Sequence, residues 1–287
     1  MSIYKNLFVV IDPTSEKQPG LDRAAELSRL GKARITAFSS VYKSVDEMTE
    51  ANSRRSGKRE FLKDWESKLK LMLAPYKEKG LKISSDTYWT ADWYAAVSRA
   101  ALRADADLVI KSTFRHGKLQ RLLHSTSDFT IMRHSPSPVL LVREAKTSAG
   151  KVILAALDLE STDEGHIGLN NSVMKHARGL SESTGLPLHV IAATSSRKPD
   201  LSHVLSGVEE QESGVEATLA HAFGIEPANF HIVKGAAKNV IPAQAEHLRA
   251  QVVVIGVSAR SGVKGVMVGT TAKKVLDKLD CDVLAIN

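Results

Sequence analysis

The chain has 287 residues, enough for one large domain or for two of about 140 residues each. Hydrophobic residues make up 43% of it and charged residues 25%, as in an ordinary globular protein with a full core. No apolar run approaches the roughly 18 residues that a membrane-spanning helix needs, and the N-terminus lacks the pattern of a secretory signal. The single cysteine, Cys281, excludes an internal disulfide, so we expect a reducing, cytoplasmic location.

The net charge of +7 is unevenly distributed along the chain. Residues 1–146 contain 26 Lys and Arg against 17 Asp and Glu, a charge of +9, and the remainder contains 13 against 15, a charge of −2. A basic half could attract a nucleic acid or a phosphate group. Many of these charges, however, lie within residues 54–82, a segment of helical period whose solvated face needs no partner. We therefore do not expect nucleic-acid binding, and a small anionic ligand stays open.

The first half alternates apolar runs with segments of helical period. Strands are expected at 5–11, 33–41, 81–89, 107–111 and 138–143, and helices at 19–30, 45–79, 92–104 and 125–134. The strands are apolar throughout rather than alternating, as in a parallel sheet covered on both faces. Alternation of strand and helix predicts an α/β domain with right-handed crossovers.

The second half repeats this pattern after a small, polar linker at 144–150. Strands are expected at 151–157, 187–194, 229–234, 251–256 and 282–286, and helices at 166–184, 205–223, 238–249 and 270–279.

Three pairs of matching segments indicate that the two halves arose by duplication. NLFVVIDPTSE matches KVILAALDLES, ADLVIKS matches QVVVIGVS, and SPVLLVR matches CDVLAIN. The offset is 146 between Asp12 and Asp158 and 144 between Val139 and Val283. Because the offset is nearly constant, we place one domain at residues 1–146 and a second at 147–287.

Asp158, at the end of the first strand of the second half, is a candidate ligand contact. Open α/β sheets bind ligands beyond the carboxyl ends of their strands, where the strand order reverses. A carboxylate there could accept a hydrogen bond from an adenine amino group or a ribose hydroxyl. It could equally cap the next turn.

A glycine-rich segment, GVSARSGVKGVMVGTT, follows the fourth strand of the second half at 256–271. Glycines let backbone N–H groups approach an anion, and the N-terminus of the helix that Thr270 and Thr271 open favours negative charge. Arg260 and Lys264 supply further positive charge. The alternative is a glycine-rich turn in which Thr270 is an ordinary N-cap.

The spacing of this segment resembles that of the universal stress protein family, whose motif is Gly-x2-Gly-x9-Gly-Ser/Thr after the fourth strand. The first glycine, the spacing and the final Gly-Thr match, whereas Ala259 replaces the second glycine. Asp158 matches the family's first-strand aspartate, which contacts adenine in ATP-binding members. The resemblance covers nearly the whole chain twice. It implies that ATP or a related adenine nucleotide, with or without Mg, binds through Asp158, Gly256, Ser258, Ala259, Arg260, Gly269, Thr270 and Thr271.

The first half departs further from the family motif, although Asp12 is retained. Alignment from the last strand puts Ser112 in the place of Gly256, Arg115 in the place of Ala259, and Ser125-Thr126 in the place of Gly269-Thr270. One glycine remains in this loop beside several basic side chains, namely Gly117 with Arg115, His116, Lys118, Arg121 and His124. We expect this half to be a structural partner that does not bind ATP in the family's manner, or to hold a different anion through those side chains.

The resemblance also implies the architecture and the pairing of the halves. Each half is expected to be a Rossmann-like, five-stranded parallel sheet flanked by helices, in the order 3-2-1-4-5. The halves are expected to form an intramolecular pseudo-dimer through strands 138–143 and 282–286, and a homodimer of whole chains is also open.

The sequence favours binding over catalysis. No histidine or cysteine pattern has metal-ligand spacing, and no phosphate-loop lysine or catalytic nucleophile motif is present. The resemblance implies a stress-response protein, and we expect its second domain to bind a nucleotide without catalysing a reaction. A slow ATPase or nucleotide-dependent switch and a ligand-free scaffold are the alternatives.

Overall fold

The fold is that of a computed structural model, which describes residues 3–42, 54–113, 121–144, 150–196, 201, 204, 214–259 and 267–287. Residues 54–55, 121–127, 258–259 and 267 are described by their backbone alone. The first half contains, in chain order, β1 Asn6–Ile11, α1 Pro19–Gly31, β2 Arg34–Val41, α2 Arg54–Glu78, β3 Ile83–Trp89, α3 Trp93–Arg103, β4 Leu108–Thr113, α4 Arg121–His134 and β5 Val139–Arg143.

The second half repeats the alternation and adds a short ribbon. Its elements are β6 Val152–Leu157, α5 Glu164–Thr184, β7 Leu188–Thr194, α6 Val215–Ala222, β8 Phe230–Lys234, α7 Ala237–His247, β9 Ala250–Gly256, β10 Ser258–Ala259, β11 Met267–Val268, α8 Thr270–Leu276 and β12 Asp282–Ile286. A 3-10 turn at Pro227–Asn229 precedes β8.

The strand predictions agree with this structure to within about two residues, and the helix predictions differ more. Helix α2 begins at Arg54, and the earlier part of the predicted helix 45–79 lies outside the described residues. Helix α4 begins four residues before the predicted 125, and α8 ends at Leu276 rather than at 279. The antiparallel ribbon of β10 and β11 was not predicted, because two-residue strands leave no periodic signal.

Ten strands form one sheet in the order β3-β2-β1-β4-β5-β12-β9-β6-β7-β8. The predicted order 3-2-1-4-5 is confirmed in both halves, and all neighbouring strands within each half are parallel, as predicted. Strands β5 and β12 pair antiparallel, with Leu141 opposite Val283, and this pair joins the two five-stranded sheets. This pairing covers the otherwise free edges of β5 and β12, whereas β3 and β8 are the two edge strands of the combined sheet.

The hydrophobic core lies on both faces of this sheet. Leu7 and Val9 of β1 belong to the cluster beneath α1, α2, α5 and α6, whereas Phe8 and Val10 belong to the cluster beneath α3, α4, α7 and α8. Each fully buried aliphatic or aromatic side chain contributes about 1.5–3 kcal/mol. Burial on both faces explains why the strands are apolar throughout. None of the described helices is both long and apolar enough to cross a membrane.

Polar contacts also join the two halves. The guanidinium of Arg23 on α1 lies 3.0 Å from the buried carboxylate of Asp282 on β12. The hydroxyl of Tyr4 lies 2.8 Å from Nδ1 of His176 on α5. Helix α5 therefore contacts the first half through one part of its length while its first turns approach the carboxyl ends of the strands of its own half.

Candidate functional site

A cavity of about 560 Å³ opens at the carboxyl ends of β6 and β9 in the second half. These strands are neighbours, and the chain leaves β6 towards β7 on one side and β9 towards β12 on the other. The strand order therefore reverses at the cavity, which is the position where open α/β sheets bind ligands. Its volume lies within the range of roughly 300–1,000 Å³ that is usual for small-molecule sites.

The structure brings five of the eight predicted site residues to this cavity. Asp158, Gly256, Gly269, Thr270 and Thr271 line its wall. Ser258 and Ala259 are described by their backbone alone, as the strand β10 that follows β9 directly. Arg260 lies outside the described residues, as does Lys264.

The main chain of Asp158 is held by Asn170 of α5. The N–H of Asp158 donates to Oδ1 of Asn170 at 3.1 Å, and Nδ2 of Asn170 donates to the carbonyl of Asp158 at 2.7 Å. The carboxylate of Asp158 forms no hydrogen bond or ion pair with any described residue. The structure thus fixes the backbone of this residue and leaves its side chain as an acceptor at the cavity. The capping role that the sequence left open belongs to Asp163, which accepts from Gly165 and His166.

Two of the glycines have roles that differ from the sequence interpretation. A Cβ atom on Gly256 would lie 2.5 Å from Cδ2 of Leu169, so this glycine is needed for the close packing of α5 on the end of β9. The N–H of Gly269 donates to the carbonyl of Val257 at 3.0 Å and is therefore not free for an anion. The assignment of these two glycines as ligand contacts stays a prediction.

The start of α8 also differs from one interpretation of the sequence. Gly269 is the N-cap and Thr270 is the first helical residue, so Thr270 is not the N-cap. The side chains of Thr270 and Thr271 are exposed and line the cavity. Their hydroxyl groups are hydrogen-bond donors available to a ligand.

Other cavity residues were missed by the sequence interpretation. The apolar part of the wall comes from β6, α5, β7, α7, β9 and α8, and includes Ala156, Ala193, Ala237, Ile241 and Ile255. The polar residues that were missed are Ser161, His166 and Asn170. The last two belong to a helix that was predicted nearly correctly, but a periodic pattern does not reveal which polar residues of a helix face a strand end.

His166 lies in the first turn of α5 beside the N-cap Asp163. Its Nδ1 is 3.3 Å from Oδ1 of Asp163, and its side chain is 26% exposed. Hydrogen bonding to His166 holds the pKa of the Asp163 carboxyl below its ordinary value. Asp163 thus stays ionised and can accept a hydrogen bond from the imidazole ring.

The aspartate at the equivalent position of the first half is arranged differently. Gln18 holds the backbone of Asp12 as Asn170 holds that of Asp158, since it accepts from Asp12 N–H at 3.2 Å and donates to the Asp12 carbonyl at 2.7 Å. The carboxylate of Asp12, however, accepts from both the N–H and the hydroxyl of Thr14, at 2.9 and 2.6 Å. Of these two equivalent aspartates, Asp158 is the one whose carboxylate has no hydrogen-bond partner among the described residues.

A buried ion pair lies at the end of β4, where the second half has apolar cavity walls. Nζ of Lys111 is 2.7 Å from Oδ1 of Asp128, and the Thr113 hydroxyl donates to Oδ2 of Asp128 at 2.9 Å. The two charged side chains are 15% and 11% exposed. With the offset of 144, these three positions correspond to cavity-lining residues of the second half, namely Ile255, Val257 and Ala272.

The remaining candidate residues of the first half are only partly described. Ser112, which takes the place of Gly256, accepts from the N–H of Gly20 at 3.0 Å, so α1 closes on the end of β4. Because α4 begins at Arg121, Ser125 and Thr126 lie inside the helix rather than at its start, contrary to the alignment. Arg115, His116, Gly117 and Lys118 lie outside the described residues, and the side chains of Arg121 and His124 are likewise not described.

Neither metal ligation nor thiol chemistry is indicated in the described part of the chain. No group of three or more His, Cys, Asp and Glu residues there could hold a metal ion. Burial raises the pKa of the Cys281 thiol to about 11, so this thiol stays protonated at neutral pH.

The comparisons with known proteins cover the whole chain. The model of the universal stress protein family matches residues 3–143 and again residues 151–287. Universal stress protein E of Escherichia coli K12 is 29% identical over 100% of this chain and 95% of its own length, and the homologue from Haemophilus influenzae is 27% identical over 99% and 97%. A crystal structure of a universal stress protein from Pseudomonas aeruginosa UCBPP-PA14 is 26% identical, with a TM-score of 0.75 over 99% of this chain and 93% of that one.

Proposed function

We propose that this chain, which belongs to the universal stress protein family and contains two tandem family domains, binds one adenine nucleotide in its second domain. The observation that carries the proposal is the uncommitted carboxylate of Asp158 in a cavity of about 560 Å³ at the point where the strand order reverses. A ligand with a flat apolar ring and hydrogen-bond donors fits the combination of apolar wall and carboxylate.

The base and ribose belong at the end of the cavity formed by β6, β7 and α7. Ala193 and Ala237 leave room for a ring system between small side chains. The carboxylate of Asp158 would accept from the adenine amino group or a ribose hydroxyl, and Asn170 would hold that carboxylate in place through the main chain.

The phosphates belong towards the start of α8. The hydroxyls of Thr270 and Thr271 would donate to phosphate oxygens, and the first N–H groups of the helix have no intrahelical acceptor. The family motif assigns further contacts to Ser258, Ala259 and Arg260. ATP, with or without Mg, is the ligand that this motif implies.

We infer that the first domain does not bind a nucleotide in this manner. Lys111, Thr113 and Asp128 occupy the positions of three cavity-lining residues of the second domain, and the carboxylate of Asp12 is engaged by Thr14. The first domain would instead act as the structural half of an intramolecular pseudo-dimer joined through β5 and β12. A role of the whole protein in the response to stress follows from the family alone.

The test is calorimetric titration of ATP into three forms of the full chain: wild type, Asp158→Ala and Asp12→Ala. Loss of hydrogen bonds to a charged group costs about 1.5–3 kcal/mol, so we expect the Asp158 variant to bind roughly 10- to 100-fold more weakly. The Asp12 variant is the matched control from the equivalent position and should bind as the wild type does. Absence of saturable wild-type binding would contradict the proposal and favour a ligand-free scaffold. Equal weakening by both substitutions would contradict the assignment of the site to Asp158 of the second domain.

A further inference from the structure

The wall of the second-domain cavity has a charge that is unfavourable for a phosphate at neutral pH. Among the described residues that line it, the titratable side chains are those of Asp158 and His166. When the imidazole of His166 is neutral, the carboxylate of Asp158 gives the described wall a net negative charge. A phosphate anion would therefore meet no compensating charge from the described wall, and its binding would be opposed by Asp158.

The contact with Asp163 determines which ring nitrogen of His166 carries the proton in the neutral form. A carboxylate accepts but does not donate hydrogen bonds, so the proton of a neutral His166 lies on Nδ1, the atom 3.3 Å from Asp163. Nε2 is then the nitrogen that can accept a second proton. Once protonated, Nε2 of this cavity-lining side chain would be a charged donor for an anionic ligand.

We propose that His166, oriented by Asp163, is a phosphate contact of the second-domain cavity and binds the anionic phosphate of an adenine nucleotide as an imidazolium. The proposal rests on the proposed nucleotide site and adds a pH dependence to it. Because the anion stabilises the imidazolium, binding takes up a proton. Affinity should therefore be higher at mildly acidic pH than at mildly alkaline pH.

The other charged groups near His166 do not reproduce this effect. On its own helix and the preceding loop, Glu164 is exposed, and Glu160 accepts from both the N–H and the hydroxyl of Ser195. On α8, Nζ of Lys273 lies 5.4 Å from the centre of the Phe129 ring, and Lys274 is exposed.

Neither lysine lines the cavity, and unperturbed carboxyl and ammonium groups do not titrate between pH 5.5 and 8. The basic residues Arg260 and Lys264 of the glycine-rich segment lie outside the described residues, and unperturbed arginine and lysine side chains stay charged over this range. A change of affinity in this interval therefore reports a histidine.

The experiment uses cyclic AMP and adenosine as probes of the full chain at pH 5.5 and pH 8.0. The phosphodiester of cyclic AMP keeps a single negative charge over this range, so any pH dependence of its binding arises in the protein. Adenosine has the same base and ribose without the charge. The variants are His166→Gln, which cannot become charged, and His221→Gln, which changes an exposed histidine on α6 outside the cavity wall.

We expect the wild type to bind cyclic AMP about five- to tenfold more tightly at pH 5.5 than at pH 8.0, as for a gained charge-assisted hydrogen bond. Its affinity for adenosine should change less than about twofold. The His166 variant should lose the pH dependence for cyclic AMP and keep its affinity for adenosine, and the His221 variant should behave as the wild type.

Three results would overturn the inference, and they separate it from the proposed function. An unchanged pH dependence in His166→Gln removes His166 as the phosphate contact but leaves the nucleotide site standing. Absence of saturable binding of either probe by the wild type overturns the nucleotide site and the inference together. As a readout that needs no variant, the imidazole NMR signals of His166 at pH 5.5 should show more of the imidazolium form with cyclic AMP than without it, and no difference contradicts the proposal.

Discussion

The ion pair at the end of β4, which is absent from the equivalent positions of the second domain, allows a quantitative prediction of stability. Lys111 and Asp128 lie 2.7 Å apart with side chains 15% and 11% exposed, and Thr113 completes the hydrogen bonding of the carboxylate. At that distance, an effective dielectric constant of about 20 gives an attraction of roughly 6 kcal/mol before the cost of removing both charges from water. Most of this attraction is offset by desolvation, as in other buried pairs.

Replacing one partner should be far more costly than replacing both. Lys111→Ile or Asp128→Ala alone leaves a buried charge without its partner, so we expect each to lower the free energy of unfolding by about 2 kcal/mol or more. The double variant, which has the residues found at the equivalent second-domain positions, should lose only about 1 kcal/mol. The resulting coupling energy is about 3 kcal/mol, at the upper end for neighbouring residues.

Urea unfolding followed by tryptophan fluorescence suits this cycle, because all three tryptophans of the chain lie in the first half. The signal therefore reports the domain that contains the ion pair. Additive effects of the two substitutions, with a double variant about 4 kcal/mol less stable than wild type, would refute the reasoning that the pair is a mutually dependent unit.

Three further predictions concern the nucleotide site, the contact between the halves and a histidine pair. Asn170→Leu should weaken ATP binding about tenfold in equilibrium dialysis, since the backbone clamp on the cavity carboxylate is lost; unchanged binding would show that the clamp is not needed. Burial raises the pKa of Asp282 and Arg23 opposes that rise, so Arg23→Met should cost about 2 kcal/mol of unfolding free energy at pH 7. The cost should shrink as the pH is lowered and the carboxyl becomes protonated, and a cost that does not depend on pH would contradict this. Burial lowers the pKa of His189 and of its neighbour His231, so the stability that the neutral pair contributes is present above pH 6.5 and is lost as the pH falls through the lower pKa values of the folded state. His231→Asn should therefore make the melting temperature, measured by circular dichroism, less sensitive to acid. A variant with the same pH dependence as the wild type would exclude the pair as the source of that sensitivity.

The order of the elements could be predicted from the sequence because it depends on local patterns. Continuous apolar runs marked the buried strands, and a nearly constant offset between the halves marked the duplication. The register of the sheet agrees with that offset, since Val109 lies beside Val139 as Val253 lies beside Val283. The domain boundaries at 146 and 147 stay a prediction, because residues 145–149 lie outside the described residues.

The details of the site depended on contacts between distant segments. Gly256 matched a motif, but the atom that requires a glycine there is Cδ2 of Leu169, which comes from a different element. Gln18 and Asn170 form the same backbone clamp from unequal distances along the chain, six and twelve residues after their aspartates, so alignment of the halves does not pair them.

One signal in the sequence could have revealed the ion pair of the first domain. Alignment of the halves sets Lys111 against Ile255 and Asp128 against Ala272, so two opposite charges replace two apolar residues at buried positions. Two opposite charges at positions that are apolar and buried in the other half indicate an ion pair, because a buried charge without a partner is too costly.

A crystal structure of the full chain grown with ATP tests the proposed nucleotide site most directly. The predicted result is one nucleotide per chain, with its base near Ala193, its ribose or amino group on the carboxylate of Asp158, and its phosphates beside Thr270. A nucleotide bound at the end of β4 in the first domain, or a second-domain cavity that stays empty at saturating ATP, would contradict it.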